Sequence, residues 1–304
     1  MTRGRFVVAL TAVGLLTTLT PAAAQDAAKA EIRQAIDAAY LNAIRCGTDI
    51  NAFLAGWDHV AIAPYVIPAI GGRADAITGA LTYQTVMDVH VRQFNVNAKP
   101  PEKKDCKFLY PAIDVAGNIG MAQVELMRRE RITTTEYLPV IKTKTGWKIV
   151  GVASHMHENG ARPQTVAGEA DGVKKVVEDT LVRGLMQDGT YEQVRAGIAS
   201  FCDTRLYLPE LDVVTRLDLA LPFMAKLRGA KPLPIKTSAF TLIGITGNVA
   251  AGTLAVAFDS GPVMTMYVAL LKATAGWVIA EIVTDKDLMS IFAPLPPPPP
   301  KRLP

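Results

Sequence analysis

From Ile113 onward, one pattern of apolar runs and turn residues occurs twice. IDVAGNIGMAQVEL (113–126) lies over IGITGNVAAGTLAV (243–256) at a constant separation of 130 residues, and the register holds without a gap for about forty positions. Downstream, Tyr137 meets Tyr267, Lys142 meets Lys272, and Gly146-Trp147 meets Gly276-Trp277; TGWKIVGVASH (145–155) is echoed by AGWVIAEIVTD (275–285). The Gly117-Asn118 and Gly247-Asn248 pairs separate apolar runs and tolerate positive φ, which marks hairpin turns. Each copy therefore predicts three strands joined by hairpins. Most are apolar on both faces, so each sheet needs cover on both sides.

Upstream of the strands the period changes. Ala28 to Arg45 carries Ile32, Ile36, Ala39, Tyr40 and Ala43 at helical spacing, and Val173 to Met186 repeats the pattern. Shorter helical patches follow at Asp49 to Trp57 and Tyr191 to Phe201. Asp218, Pro222 and Gly229 fit the cap, first-turn proline and stop of a further helix, with Tyr83 to Phe94 as its counterpart. Helices followed by antiparallel strands give an α+β class, in which N-terminal helices pack on one face of a curved antiparallel sheet. The simplest cover for the two remaining sheet faces is each other, making an intramolecular pseudo-dimer. The expected layout is a signal peptide at 1–24, domain 1 at 27–158, a linker at 159–167, domain 2 at 168–290 and a proline-rich tail at 291–304. The tail, APLPPPPPKRLP, has the composition of an extended polyproline segment.

The signal-peptide expectation rests on Arg3 and Arg5, an uncharged apolar run from Phe6 to Thr20, and Ala22-Ala23-Ala24 after Pro21. That run is shorter than the roughly 20 residues that cross a bilayer, and no later stretch is long enough. A periplasmic or secreted protein is expected. Losing two arginines takes the 32 basic and 28 acidic residues to 30 against 28, a net charge of +2. Such a balance, with scattered cations, argues against nucleic-acid binding. In an oxidising compartment Cys46 and Cys106, in the same half, are the expected disulfide pair among three cysteines; three small buried thiols are the alternative.

The N-terminal amphipathic helix, the Trp57-Asp58-His59 element and the ending IDVAGN…VEL…TEYLPVIKTKTGWKIVGVASH resemble the NTF2-like, or SnoaL-like, superfamily and its putative lumazine-binding group. In domain 2, Asp285 stands where the ending closes in His155. The resemblance implies two cone-shaped domains with a pocket between helices and sheet. It implies no activity, because such folds host isomerases, cyclases, dehydratases and mere binders.

All four histidines, His59, His90, His155 and His157, fall in domain 1. A catalytic reading takes His155 as acid or base, Asp58 or His90 as its orienting group, and Tyr137 as a donor to an enolate-like oxygen; a structural reading leaves His155 bonded at a strand end. On one strand His155 and His157 share a face, but no third ligand is in view and no metal is expected. Asp114, beside a turn, reads as a solvated residue, and Trp147 and Trp277 as core pillars. Tyr40, Trp57, Tyr267 and Asp285 are the expected pocket residues. No phosphate-binding glycine loop, GxSxG elbow or dinucleotide fingerprint occurs, so no cofactor is expected. Non-catalytic binding of a small apolar molecule or a protein partner ranks first, ahead of an isomerase, cyclase or dehydratase in domain 1 and of a purely structural module.

Overall fold

The computed structural model describes residues 21–47, 49–67, 77–85, 106–157, 160, 162–163, 165–187, 189–216, 233–259, 261 and 263–286. Helix α1 spans Pro21–Ile36 and widens into a π-helical segment, Asp37–Arg45; α3 spans Glu169–Val177 and widens likewise over Glu178–Met186. Both bury residues spaced four apart, Ile32, Ile36, Tyr40 and Ile44 in α1 and Val173, Val177, Leu181 and Leu185 in α3, with neighbours such as Ala39 and Met186, a wide apolar stripe facing the core. These positions correspond at a separation of 141, which the helices share through pattern alone.

Short helices follow at α2 (Ile50–Gly56) and α4 (Tyr191–Gly197). Asp49 caps the first by accepting from Ala52 N at 3.0 Å, and Thr190 caps the second within a capping box. Each ends on a glycine lying against the long helix: a Cβ at Gly56 would collide with Ala39, and one at Gly197 with Thr180. Trp57 and Phe201, expected at helix ends, instead lie in the strands that follow. The expected helix at 218–229 and most of that at 83–94 lie outside the described residues.

The first sheet contains β1 (Trp57–Ile67), β2 (Ile77–Thr82), β3 (Cys106–Ala116), β4 (Ile119–Arg128), β5 (Arg131–Thr143), β6 (Gly146–Gly151) and β7 (Ala153–Met156), in order β2-β1-β6-β5-β4-β3 with β7 also on β5. The second contains β8 (Ile198–Leu208), β9 (Val213–Arg216), β10 (Ile235–Thr246), β11 (Val249–Phe258), β12 (Val263–Ala273) and β13 (Gly276–Thr284), in the matching order β9-β8-β13-β12-β11-β10. The hairpins at Gly117 and Gly247 have φ of 60° and 58°, as the Gly-Asn turns require. Each sheet is antiparallel apart from one parallel pair, where Trp57 sits opposite Ile149 and Ile198 opposite Ile279. The strand expected over 147–157 breaks at Val152, whose N–H donates to Ile62 O at 3.1 Å.

Each set of helices covers one face of its own sheet, α1 and α2 over a core containing Tyr40, Phe53, Trp57 and Leu138, and α3 and α4 over one containing Leu181, Met186, Met266 and Ile279. A third core cluster draws on both sheets: Ile119, Met121, Tyr137 and Val150 pack with Val249, Tyr267, Ala269 and Val283. Alternation along β5 explains the division, since Leu138 and Val140 face the helices while Tyr137 and Ile141 face the other sheet.

Candidate functional site

The interior of domain 1 is aromatic. Tyr40 meets Trp57 edge-on at 5.2 Å, Phe53 stacks on Trp57 at 5.1 Å, and Trp57 Nε1 donates to Ala39 O at 3.2 Å. Strand alternation directs Glu136, fully buried, into this space. It pairs with Arg45 from the end of α1, and Ser154 Oγ donates to its Oε1 at 3.3 Å. The Arg45 guanidinium lies 5.1 Å from the centre of the Tyr40 ring. Burial raises the Tyr40 pKa, with Arg45 pulling against it. Beside the pair, Cys46 and Cys106 form a disulfide with Cα atoms 5.8 Å apart, and Arg128 Nη2 donates to Arg45 O at 2.5 Å. The matching positions in domain 2, at a separation of 141 for the helix and 130 for the strand, are Leu181, Met186 and Met266. One interior therefore holds a buried ion pair and the other is apolar.

The residues singled out for chemistry do not converge there. Tyr137 lies between the two sheets, where burial pushes its pKa up to about 12. His155 Nδ1 is 2.6 Å from Asn248 Oδ1, and its ring stands 5.4 Å from that of His157, which reaches Thr135 Oγ1 at 2.7 Å. Asp58 accepts from Val60 N at 3.1 Å and pairs with the exposed His59; His90 lies outside the described residues. Tyr40 and Trp57 belong to the domain 1 core, whereas Tyr267 lies between the sheets, and burial followed by the nearby Asp114 raises its pKa. Asp285 accepts from Thr265 N at 2.8 Å, and burial raises its pKa. Asp114 is not a solvated turn residue: it accepts from Thr253 Oγ1 of domain 2 at 2.9 Å. Among the described residues, no group of three His, Cys, Asp or Glu side chains is placed to hold a metal ion.

Reading the sequence did not single out Glu136 or Arg45, nor the pair Arg205 and Glu281, which are buried with Arg205 Nη1 3.2 Å from Glu281 Oε1. The available signal was a lone carboxylate inside an apolar strand pattern, in TEYLPVI and in WVIAEIV.

One open concavity on domain 1 lies between α1, α2 and the β5–β6 turn, a cleft of about 550 Å³; another of about 560 Å³ lies along α1 beside Ile113 and shares Gln34 and Ala38 with it. The lining of the first includes Ala35, Ala38, Ala39, Ala52 and Ala55, with Gln34, Trp147 and Lys148. The turn is held to α1 by Glu31, which accepts from Trp147 Nε1 at 3.1 Å and Lys142 Nζ at 2.6 Å. Those bonds, Lys142 first, hold its carboxyl below the usual range. In domain 2 the positions matching Gln34, Ala38 and Asn42 are Lys175, Asp179 and Arg183, which form an i,i+4 ion-paired ridge. At these positions α1 of domain 1 carries uncharged side chains and α3 of domain 2 ion-paired ones.

No family model matches the chain, and no curated protein matches it in sequence. Solved structures similar to it include an NTF2-like protein of unknown function from Methylobacillus flagellatus, with 18% identity, 41% of this chain and 98% of that one covered, and a TM-score of 0.34. Another, from Shewanella baltica, has 17% identity, 41% and 100% coverage and a TM-score of 0.34. A third, from Silicibacter pomeroyi, has 15% identity, 42% and 94% coverage and a TM-score of 0.32. By its own element order and sheet topology, the chain comprises two α+β domains, each with helices packed on one face of its sheet. Function is read from the chain's own residues.

Proposed function

We propose that this is an exported tandem NTF2-like protein that binds a small, mostly apolar molecule without turning it over, in the alanine-lined cleft of domain 1 between α1, α2 and the β5–β6 turn. The observation that carries this reading is the contrast at matching positions: Ala38 lines the cleft in domain 1, whereas its counterpart Asp179 in domain 2 is ion-paired with Lys175 and Arg183. A volume of about 550 Å³ falls within the roughly 300–1,000 Å³ of small-molecule sites. His155 bonded to Asn248 and Asp58 bonded to Val60 N support binding over catalysis, since proton transfer needs such groups turned toward one substrate. Domain 2 is the structural partner. On this reading a single domain was duplicated, and its copies pack as an internal counterpart of a two-fold dimer.

The test grafts the domain 2 surface onto domain 1 with Gln34→Lys/Ala38→Asp. In a thermal-shift screen of residues 25–304 against diverse metabolites, a ligand at 100 times its dissociation constant stabilises the protein by about 2.7 kcal/mol. The grafted variant is expected to fold like the parent and to lose that stabilisation. A hit whose shift survives the graft, or no hit across the screen, overturns the reading.

A further inference from the structure

Where the two sheets meet, positions related by the 130-residue separation carry unequal side chains, and each meets residues of the other sheet. At 151 and 281 domain 1 has glycine and domain 2 glutamate. The Glu281 carboxylate occupies the space a Cβ on Gly151 would take. It is paired there with Arg205, whose Nε and Nη2 both donate to Val60 O of domain 1 at 3.1 Å. At 114 and 244 the inequality is reversed: domain 1 has aspartate and domain 2 glycine. A Cβ on Gly244 would lie 2.7 Å from Tyr137 Oη and 2.9 Å from Gln123 Oε1. Across the pseudo-axis the related trio is Asp114, Tyr267 and Thr253, with Thr253 Oγ1 donating to Asp114 Oδ2 at 2.9 Å.

These contacts disfavour self-pairing. Two domain 2 faces would set Glu281 against Glu281, each with a Cβ where the structure admits only hydrogen. Two domain 1 faces would set Asp114 in the place of Gly244, against Tyr137 and Gln123, and would leave the Glu281 position empty between two glycines. Overpacking and voids in a dry seam both destabilise, and specificity of this kind is built from clashes against the wrong partner.

We propose that the two buried sheet faces are addressed to each other: the domain 1 face accepts only a domain 2 face, from the same chain or from a second copy. This rests on the reading of the domains as an internal counterpart of a two-fold dimer. The test uses the full chain with two reciprocal sets, Gly151→Glu, Glu281→Gly and their combination, and Gly244→Asp, Asp114→Gly and theirs. Urea midpoints and mass by light scattering are measured for each. Single variants are expected to lower the midpoint, and each swap to recover at least half of the larger single loss, with the mass of a monomer or a closed dimer. If Gly151→Glu yields no folded protein, recovery in its swap counts in the same direction, and the second set decides otherwise. Neutral Gly151→Glu and Gly244→Asp variants would overturn the face-to-face arrangement itself. Costly singles with no recovery in either swap would leave that arrangement standing and overturn the addressing.

Discussion

Replacing Glu136 by methionine, the residue of domain 2 at the matching position 266, removes the carboxylate of a buried ion pair and leaves its guanidinium behind. Breaking a fully buried pair costs about 3–5 kcal/mol, because the remaining charge is desolvated without compensation. Here the Arg45 side chain keeps 24% of its exposure while Glu136 has none, so Arg45 can turn partly toward water and the expected cost falls to about 2–3 kcal/mol. The double variant Arg45→Met/Glu136→Met reproduces the Met186 and Met266 of domain 2 and removes both charges at once. Glu136 Oε2 and Arg45 Nε have no hydrogen-bond partner among the described residues, so the pair is incompletely satisfied to begin with. Replacing such pairs by apolar groups is often neutral or stabilising by about 1–4 kcal/mol. Urea unfolding followed by fluorescence is the assay. With a slope of about 2–3 kcal/mol per molar, Glu136→Met lowers the midpoint by about 1 M, and the double variant returns it to the parent value or above. A neutral single variant, or a double variant as unstable as the single, would refute the account of the pair as a charge held by its partner.

Other outcomes follow from the same geometry. The Cys46–Cys106 bridge spans 60 residues of sequence, so Cys46→Ala/Cys106→Ala is expected to cost about 4 kcal/mol, read as a lower urea midpoint that reductant no longer changes; an unchanged midpoint would show that the bridge does not constrain the unfolded chain. Tyr137 has its pKa raised to about 12. Below about pH 10 it is protonated folded and unfolded, and between that and pH 12 only the unfolded chain ionises, so roughly 2–3 kcal/mol of stability is lost as pH rises through this window. Tyr40 and Tyr267, raised by burial, act in the same direction. Tyr137→Phe is expected to flatten the alkaline decline measured by urea midpoints, and a decline of unchanged steepness would count against the burial of that hydroxyl.

Much of this architecture was visible in the order of residues, for identifiable reasons. The Gly117-Asn118 and Gly247-Asn248 turns fix hairpin register locally, so the 130-residue echo could be followed position by position. The long helices were visible through Ile32, Ile36 and Tyr40 and their counterparts, because burial of one stripe imposes the period. Strands β1 and β8 were not, since Trp57 and Ile198 earn their place by parallel pairing with residues some eighty or more positions away, and a continuous apolar run does not declare its own geometry. The cleft escaped for a different cause. Alanine is read as a helix former, and only the neighbouring α2 and the β5–β6 turn make Ala38 part of a cleft. Glu136 and Glu281 were in plain view as lone acids in apolar strands, but their meaning depends on partners, Arg45 and Arg205, brought from distant segments.

The cluster shared by the two sheets belongs to neither half alone. A protease that nicked the connection between Met156 and Glu169 would sever the backbone and leave Tyr137, Tyr267 and their neighbours still clasped. The fragments would travel together through a sizing column, and parting them would take a denaturant, because separation would wet both aromatic faces at once.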